Sequence, residues 1–199
     1  MAGEYIGAYV LADIGAGDID AVRERLLHLP HVVLVHALIG PNDLIMYLEA
    51  DGYTKFMDIL DRDIRGLIDT GDLVRTETRL VLASRGKGYS KESNLPPQGA
   101  AWIFLELEVG DPQPVVEELL RMEGVVNAHA VLGACDIIAY VETEDWQDLM
   151  QILDDGIRRL QGVRRTDTRL VLMRRAKKLG SYDLASGRYS RDIGVREPE

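Results

Sequence analysis

One cysteine, two phenylalanines and two tryptophans are all that this 199-residue chain carries of those types. A lone Cys135 excludes an internal disulfide and fits a reducing compartment. No window approaches the roughly 20 consecutive apolar residues that span a bilayer, and the start MAGEYIGAYV has no cationic leader, so a cytoplasmic protein without a membrane segment is expected. Basic residues are outnumbered: 23 Lys and Arg face 33 Asp and Glu, for a net charge of −10. Clustered cations displace phosphate counterions, and neither half has them in excess, so direct nucleic-acid binding is not expected. Metal motifs are missing too: there is no HExxH, no CxxC and no grouping of His with carboxylates. No cofactor, metal or catalytic residue is therefore expected from motifs.

What the chain does have is repetition. HALIGPNDLIMYLE at residues 36–49 returns as HAVLGACDIIAYVE at 129–142. At an offset of 93, positions 9–67 align with 102–160 and 22 of the 59 pairs are identical. After a three-residue deletion RTETRLVL, from Arg75, matches RTDTRLVL, from Arg165, at seven of eight positions. A unit of about 75 to 80 residues exceeds solenoid periods and is long enough for a small domain. The expected division is a first domain at 1–83, a linker at 84–99 rich in Gly, Ser and Pro, a second domain at 100–175 and a basic tail at 176–199.

Within each copy the apolar period switches. GAYVLADI and AAWIFLELEV read as strands, followed by Gly17-Asp18 or Gly110-Asp111, which turn the chain and cap a helix. Val22, Leu26 and Leu29, and likewise Val115, Leu119 and Met122, recur at helical spacing. Two more strands, a second amphipathic helix and a closing strand complete the order β-α-β-β-α-β. The fold class expected is α+β, two ferredoxin-like domains. HVVLVHALI and GVVNAHAVL are apolar nearly throughout, so these strands are expected to be covered on both faces. Helices cover one face only. The two sheets are therefore expected to pack face to face as an intramolecular pseudo-dimer, which can assemble further.

The corners Gly40-Pro41-Asn42-Asp43 and Gly133-Ala134-Cys135-Asp136 admit two readings. Plain turn chemistry accounts for Gly, Pro, Asn and Asp. Retention of Gly and Asp with a rewritten middle also suits a pocket for a small zwitterion. In the closing strand, alternation puts Thr76, Thr78, Leu80 and Leu82 on one face and Arg75, Glu77 and Arg79 on the other, repeated as Thr166, Thr168, Leu170 and Leu172 against Arg165, Asp167 and Arg169. Either the strand is half buried with ion pairs on its polar side, or the Thr hydroxyls line a pocket. His36 and His129 read first as packed, hydrogen-bonded histidines. Gly15-x-Gly17-x-x-Asp20 lacks the third Gly of a dinucleotide fingerprint and reads as a turn and cap.

The phrase P-H-V-V-x-V-H-A-L-I-G-x-x-D, the flanking amphipathic helices and the closing R-T-x-T-x-L-V-L together resemble the effector-binding domain of the Lrp/AsnC (feast/famine) regulators, over residues about 5 to 83 and again 100 to 173. The resemblance implies a small effector, usually an amino acid, bound near the G-x-x-D loop between subunits that form dimers and rings of dimers. Carried onto this chain, the ligand-binding positions are Gly40, Asn42 and Asp43 with Gly133, Cys135 and Asp136, joined by Thr76, Thr78, Thr166 and Thr168. No helix-turn-helix precedes the first strand, so action through homo-oligomerisation or a partner regulator is expected, not catalysis. Alternatives left open are an enzyme, since relatives of that family include decarboxylases, and a structural scaffold.

Overall fold

A computed structural model describes residues 5–15, 17–86, 99–176, 182–183 and 188–189. Most of the expected linker, 87–98, and most of the basic tail lie outside the described residues.

The first unit runs β1 (Tyr5–Ile14), α1 (Ile19–His28), β2 (Val32–Ile39), β3 (Leu44–Asp51), α2 (Tyr53–Asp58), a π-helical stretch Ile59–Ile64, α3 (Arg65–Asp69) and β4 (Leu73–Gly86). The second repeats it as β5 (Gly99–Leu107), α4 (Gln113–Arg121), β6 (Val125–Leu132), β7 (Ile137–Thr143), α5 (Trp146–Gln151), a π-helical stretch Ile152–Gly156 and β8 (Val163–Ala176). The sequence sets these limits through its caps. Asp18 accepts from the Asp20 amide and Asp145 from those of Gln147 and Asp148, while before α4 Asp111, one residue outside the Pro112 cap position, accepts from the Gln113 amide. Gly71 and Gly162, at φ +79° and +87°, turn the chain into the two closing strands.

Both units are the expected α+β, ferredoxin-like arrangement, and their eight strands close into one antiparallel barrel in the order β1-β3-β2-β8-β5-β7-β6-β4. The closing strands make the seams. Leu73 to Leu80 pairs with β1 of its own unit, whereas Leu80 to Gly86 pairs with β6 of the other. Likewise β8 pairs with β5 and then with β2. The strands thus run past the expected linker start at 84, because residues 84–86 find their partners in the other half of the chain.

Closure sorts the apolar residues into three cores. Ala8, Val10, Ala37, Met46 and Phe56 pack between sheet and helices in the first unit, and Ala101, Ile103, Leu119, Ile137 and Leu149 do so in the second. Tyr9, Leu34, Ile45, Tyr47, Trp102, Phe104, Ile138 and Tyr140 fill the barrel interior. The unbroken apolar runs of β2 and β6 are explained by helices outside and barrel contents inside. No described helix is long and apolar enough to cross a membrane.

Candidate functional site at the barrel mouth

Strand alternation delivers polar groups into this interior. Tyr9 and Trp102 stand opposite Arg79 and Arg169 in the ladders, so both arginines turn inward. They are 5% and 7% exposed, so at these positions the polar side expected of a half-buried closing strand faces the barrel interior. Burying a guanidinium costs several kcal/mol unless it is paired. Arg79 Nη2 donates to Glu77 at 2.8 Å, and Arg169 Nε and Nη2 donate to Asp167 at 3.1 and 2.9 Å. Both cations also lie against Phe104, at 5.3 and 4.3 Å from its ring centre.

Each arginine then crosses to the other unit's corner. Arg169 Nη1 donates to the Asn42 side-chain oxygen, and Arg79 Nη1 donates to Cys135 Sγ at 2.7 Å. Gly133 eases this approach, since a Cβ there would lie 3.1 Å from the Arg79 Cγ, whereas one at Gly40 would make ordinary contact with the Arg169 Cγ at 3.5 Å. Burial pushes the Cys135 thiol up, against the opposing pull of Arg79, and so holds it neutral.

Deeper in the barrel, the Tyr9 hydroxyl and His129 Nδ1 are hydrogen-bonded at 2.7 Å, and Trp102 Nε1 donates to His36 Nδ1 at 3.0 Å. Both bonds join one unit to the other. Trp102 stacks on Tyr140 at 4.6 Å, and Tyr9 packs against Tyr47 at 5.0 Å. Burial alone lowers the His129 pKa to about 3, and its Nε2 has no partner among the described residues.

The residues expected to bind ligand divide in two. Gly40, Asn42, Gly133 and Cys135 come together around Arg79 and Arg169 at one end of the barrel. Asp43 and Asp136 are occupied structurally: their carboxylates accept from the backbone amides of Ile14 and Leu107 at 2.8 and 2.7 Å, fastening the ends of β1 and β5. That accounts for Asp in both copies without an ammonium partner. Thr76 and Thr78 stand opposite Ala12 and Val10, and Thr166 and Thr168 opposite Leu105 and Ile103, on the helix-covered side rather than in the barrel. The aromatic ladder Tyr9, Tyr47, Trp102 and Tyr140 was not singled out from sequence. Its signal was there, an aromatic at equivalent positions of both repeats inside apolar strands.

Residues 100–180 match the model for the Lrp/AsnC ligand binding domain. The structure of FFRP-DM1 is 33% identical to this chain, over 36% of it and 96% of FFRP-DM1, with a TM-score of 0.35. The chain belongs to the Lrp/AsnC ligand-binding family. No curated protein matches its sequence. Over most of the chain the likeness is one of fold: to an anthrone oxidase-like protein (10% identity, 86% of this chain and 93% of the other, TM-score 0.53), and to the siroheme decarboxylase NirDL in complex with an iron-uroporphyrin III analogue (10% identity, 85% and 72%, TM-score 0.52). These matches overturn the expectation that the chain is not an enzyme. The fold that the two units build is similar to that of enzymes, and it gives no ground for excluding catalysis.

Proposed function

We propose that this Lrp/AsnC-family chain binds a small organic effector, an amino acid or a close analogue, at the barrel mouth, and that its first unit is a diverged second copy of the matched domain. One observation carries the reading. Each G-x-x-D corner is braced by an arginine from the opposite unit, Asn42 by Arg169 and Cys135 by Arg79. A ligand that enters a corner must rearrange a contact between the two halves, so its binding energy is coupled to their arrangement. The conventional role of such domains, sensing a metabolite and altering assembly or a partner regulator, follows from that coupling. A thermal-shift screen with the twenty amino acids tests it, because a ligand that binds only the native state raises Tm. A shift that Arg79→Gln or Arg169→Gln abolishes is the expected result. Absence of any shift with the whole panel removes the reading.

A second reading, chemistry on the bound molecule, has its own support in the Tyr9–His129 pair. A phenol held against an imidazole that burial keeps neutral, whose Nε2 has no partner among the described residues, offers polar groups that a bound molecule can hydrogen-bond inside an apolar barrel. The decarboxylase among the fold relatives makes carbon dioxide release the first activity to assay. Turnover that His129→Gln and Tyr9→Phe both remove, with Tm retained, supports catalysis.

A further inference from the structure

The two corners of the mouth are built on the same plan but are not equally closed. In the first, Asn42 has two hands. Its amide nitrogen donates to Asp13 at 2.6 Å while its oxygen accepts from Arg169, and Asp13 is paired in turn with Arg75 at 3.1 Å. Arg75, Asp13, Asn42, Arg169 and Asp167 form one unbroken chain, and Arg169 uses all three of its nitrogens. In the second corner Cys135 stands where Asn42 does. A thiol is a weak acceptor and has no amide to reach onward, so Glu106, at the position of Asp13, keeps the counterpart of the Asp13–Arg75 pair with Arg165, adds one with Arg164, and has no link to the corner among the described residues. The chain is broken there. Arg79, 95% buried, has no acceptor for its Nε among the described residues.

We propose that the second corner alone is the receiving site, and that it takes a carboxylate, which docks on the Arg79 guanidinium in place of the Cys135 thiol while the Asn42 corner stays a structural lock. This rests on the reading of the mouth as a ligand site and specifies which half of it binds and what group is recognised. A carboxylate offers four lone-pair positions and matches the Nη1/Nη2 edge of a guanidinium with two parallel hydrogen bonds, where the thiol offers Nη1 a single weak acceptor. Exchanging a neutral thiol for an anion also sets a full negative charge against a buried cation. The two corners are about equally open, with Gly40 and Pro41 exposed like Gly133 and Ala134, and Asn42 and Cys135 at 4% and 5% exposure; they differ in that Asn42 is tied on both sides.

Isothermal titration of the full chain with L-glutamate, L-leucine, succinate and butylamine tests this. A carboxylate-bearing probe is expected to bind once per chain, and butylamine not at all. Arg79→Lys keeps the charge but loses the fork, and weakens binding by about 10- to 100-fold, the worth of one or two charge-assisted hydrogen bonds. Cys135→Asn, which recreates the closed corner, abolishes binding without lowering Tm. Asn42→Cys, which recreates the open one, raises the stoichiometry from one to two. Binding that persists unchanged in Cys135→Asn and Arg79→Lys, or a wild-type stoichiometry of two, overturns this inference and leaves the mouth standing as a ligand site. Failure of all four probes, together with no thermal shift from the amino-acid panel, removes both.

Discussion

At the residue scale the barrel interior places ionisable groups where their charge is expensive. His129 is fully buried and its pKa falls to about 3. In the unfolded chain a histidine titrates near 6.5, so below that pH the unfolded state takes up a proton that the native state refuses. His129 therefore contributes full stability above about pH 6.5 and costs about 1.4 kcal/mol for each pH unit lost between there and about 3. Urea midpoints at pH 7 and pH 5 are expected to differ, and His129→Gln is expected to flatten the difference. Equal pH dependence in the variant would show that another group is responsible. His36 is a different case, since the Trp102 indole can only donate and needs the unprotonated Nδ1. Trp102→Phe keeps most of the ring packing but leaves that nitrogen bare, at a cost of about 1 to 3 kcal/mol in chemical denaturation. The histidines were legible in the sequence as packed side chains. Their partners were not, because a hydrogen bond between residues 66 or 120 positions apart leaves no local pattern.

At the scale of elements, the turns are where single substitutions separate conformation from space. Gly71 and Gly124 both have positive φ, +79° and +81°. A Cβ at Gly71 meets nothing, whereas one at Gly124 lies 2.7 Å from the Ile152 side chain and 3.1 Å from the Glu142 carbonyl oxygen. Gly71→Ala is expected to cost about 1 kcal/mol from backbone strain alone, and Gly124→Ala about 2 kcal/mol or more. Thermal melts of the pair measure the difference, and similar Tm losses would deny the steric part. The Asp43 and Asp136 carboxylates belong to this scale as well, since each fastens a corner to the end of the neighbouring first strand. Asp43→Ala should cost about 1 to 2 kcal/mol, as expected for leaving the half-buried Ile14 amide unsatisfied. The helices and strands were readable from periodicity and caps. The inward turn of Arg79 and Arg169 was not, because alternation separates two faces but does not say which one meets solvent.

On the scale of the whole molecule the halves are interlocked. Each closing strand begins in one unit's sheet and ends in the other's, and two buried hydrogen bonds tie first strands to the opposite histidines. One cooperative unfolding transition, coincident by far-ultraviolet and near-ultraviolet circular dichroism, is the expected behaviour. Expressed as two chains, residues 1–90 and 95–199 should purify together as a stable complex, and two separable transitions or independent fragments would contradict the shared barrel. The sequence by itself determined the two units, their order of elements, the doubly covered middle strands and the resemblance to Lrp/AsnC domains, because those rest on local periodicity and on comparison of one half with the other. Only the tertiary structure decided that the sheets join edge to edge into a closed barrel, that the arginines of one half brace the corners of the other, and that the Thr residues lie apart from them. Those relations depend on strand pairing and shear between segments distant in the chain, and residue order alone does not encode which edge meets which.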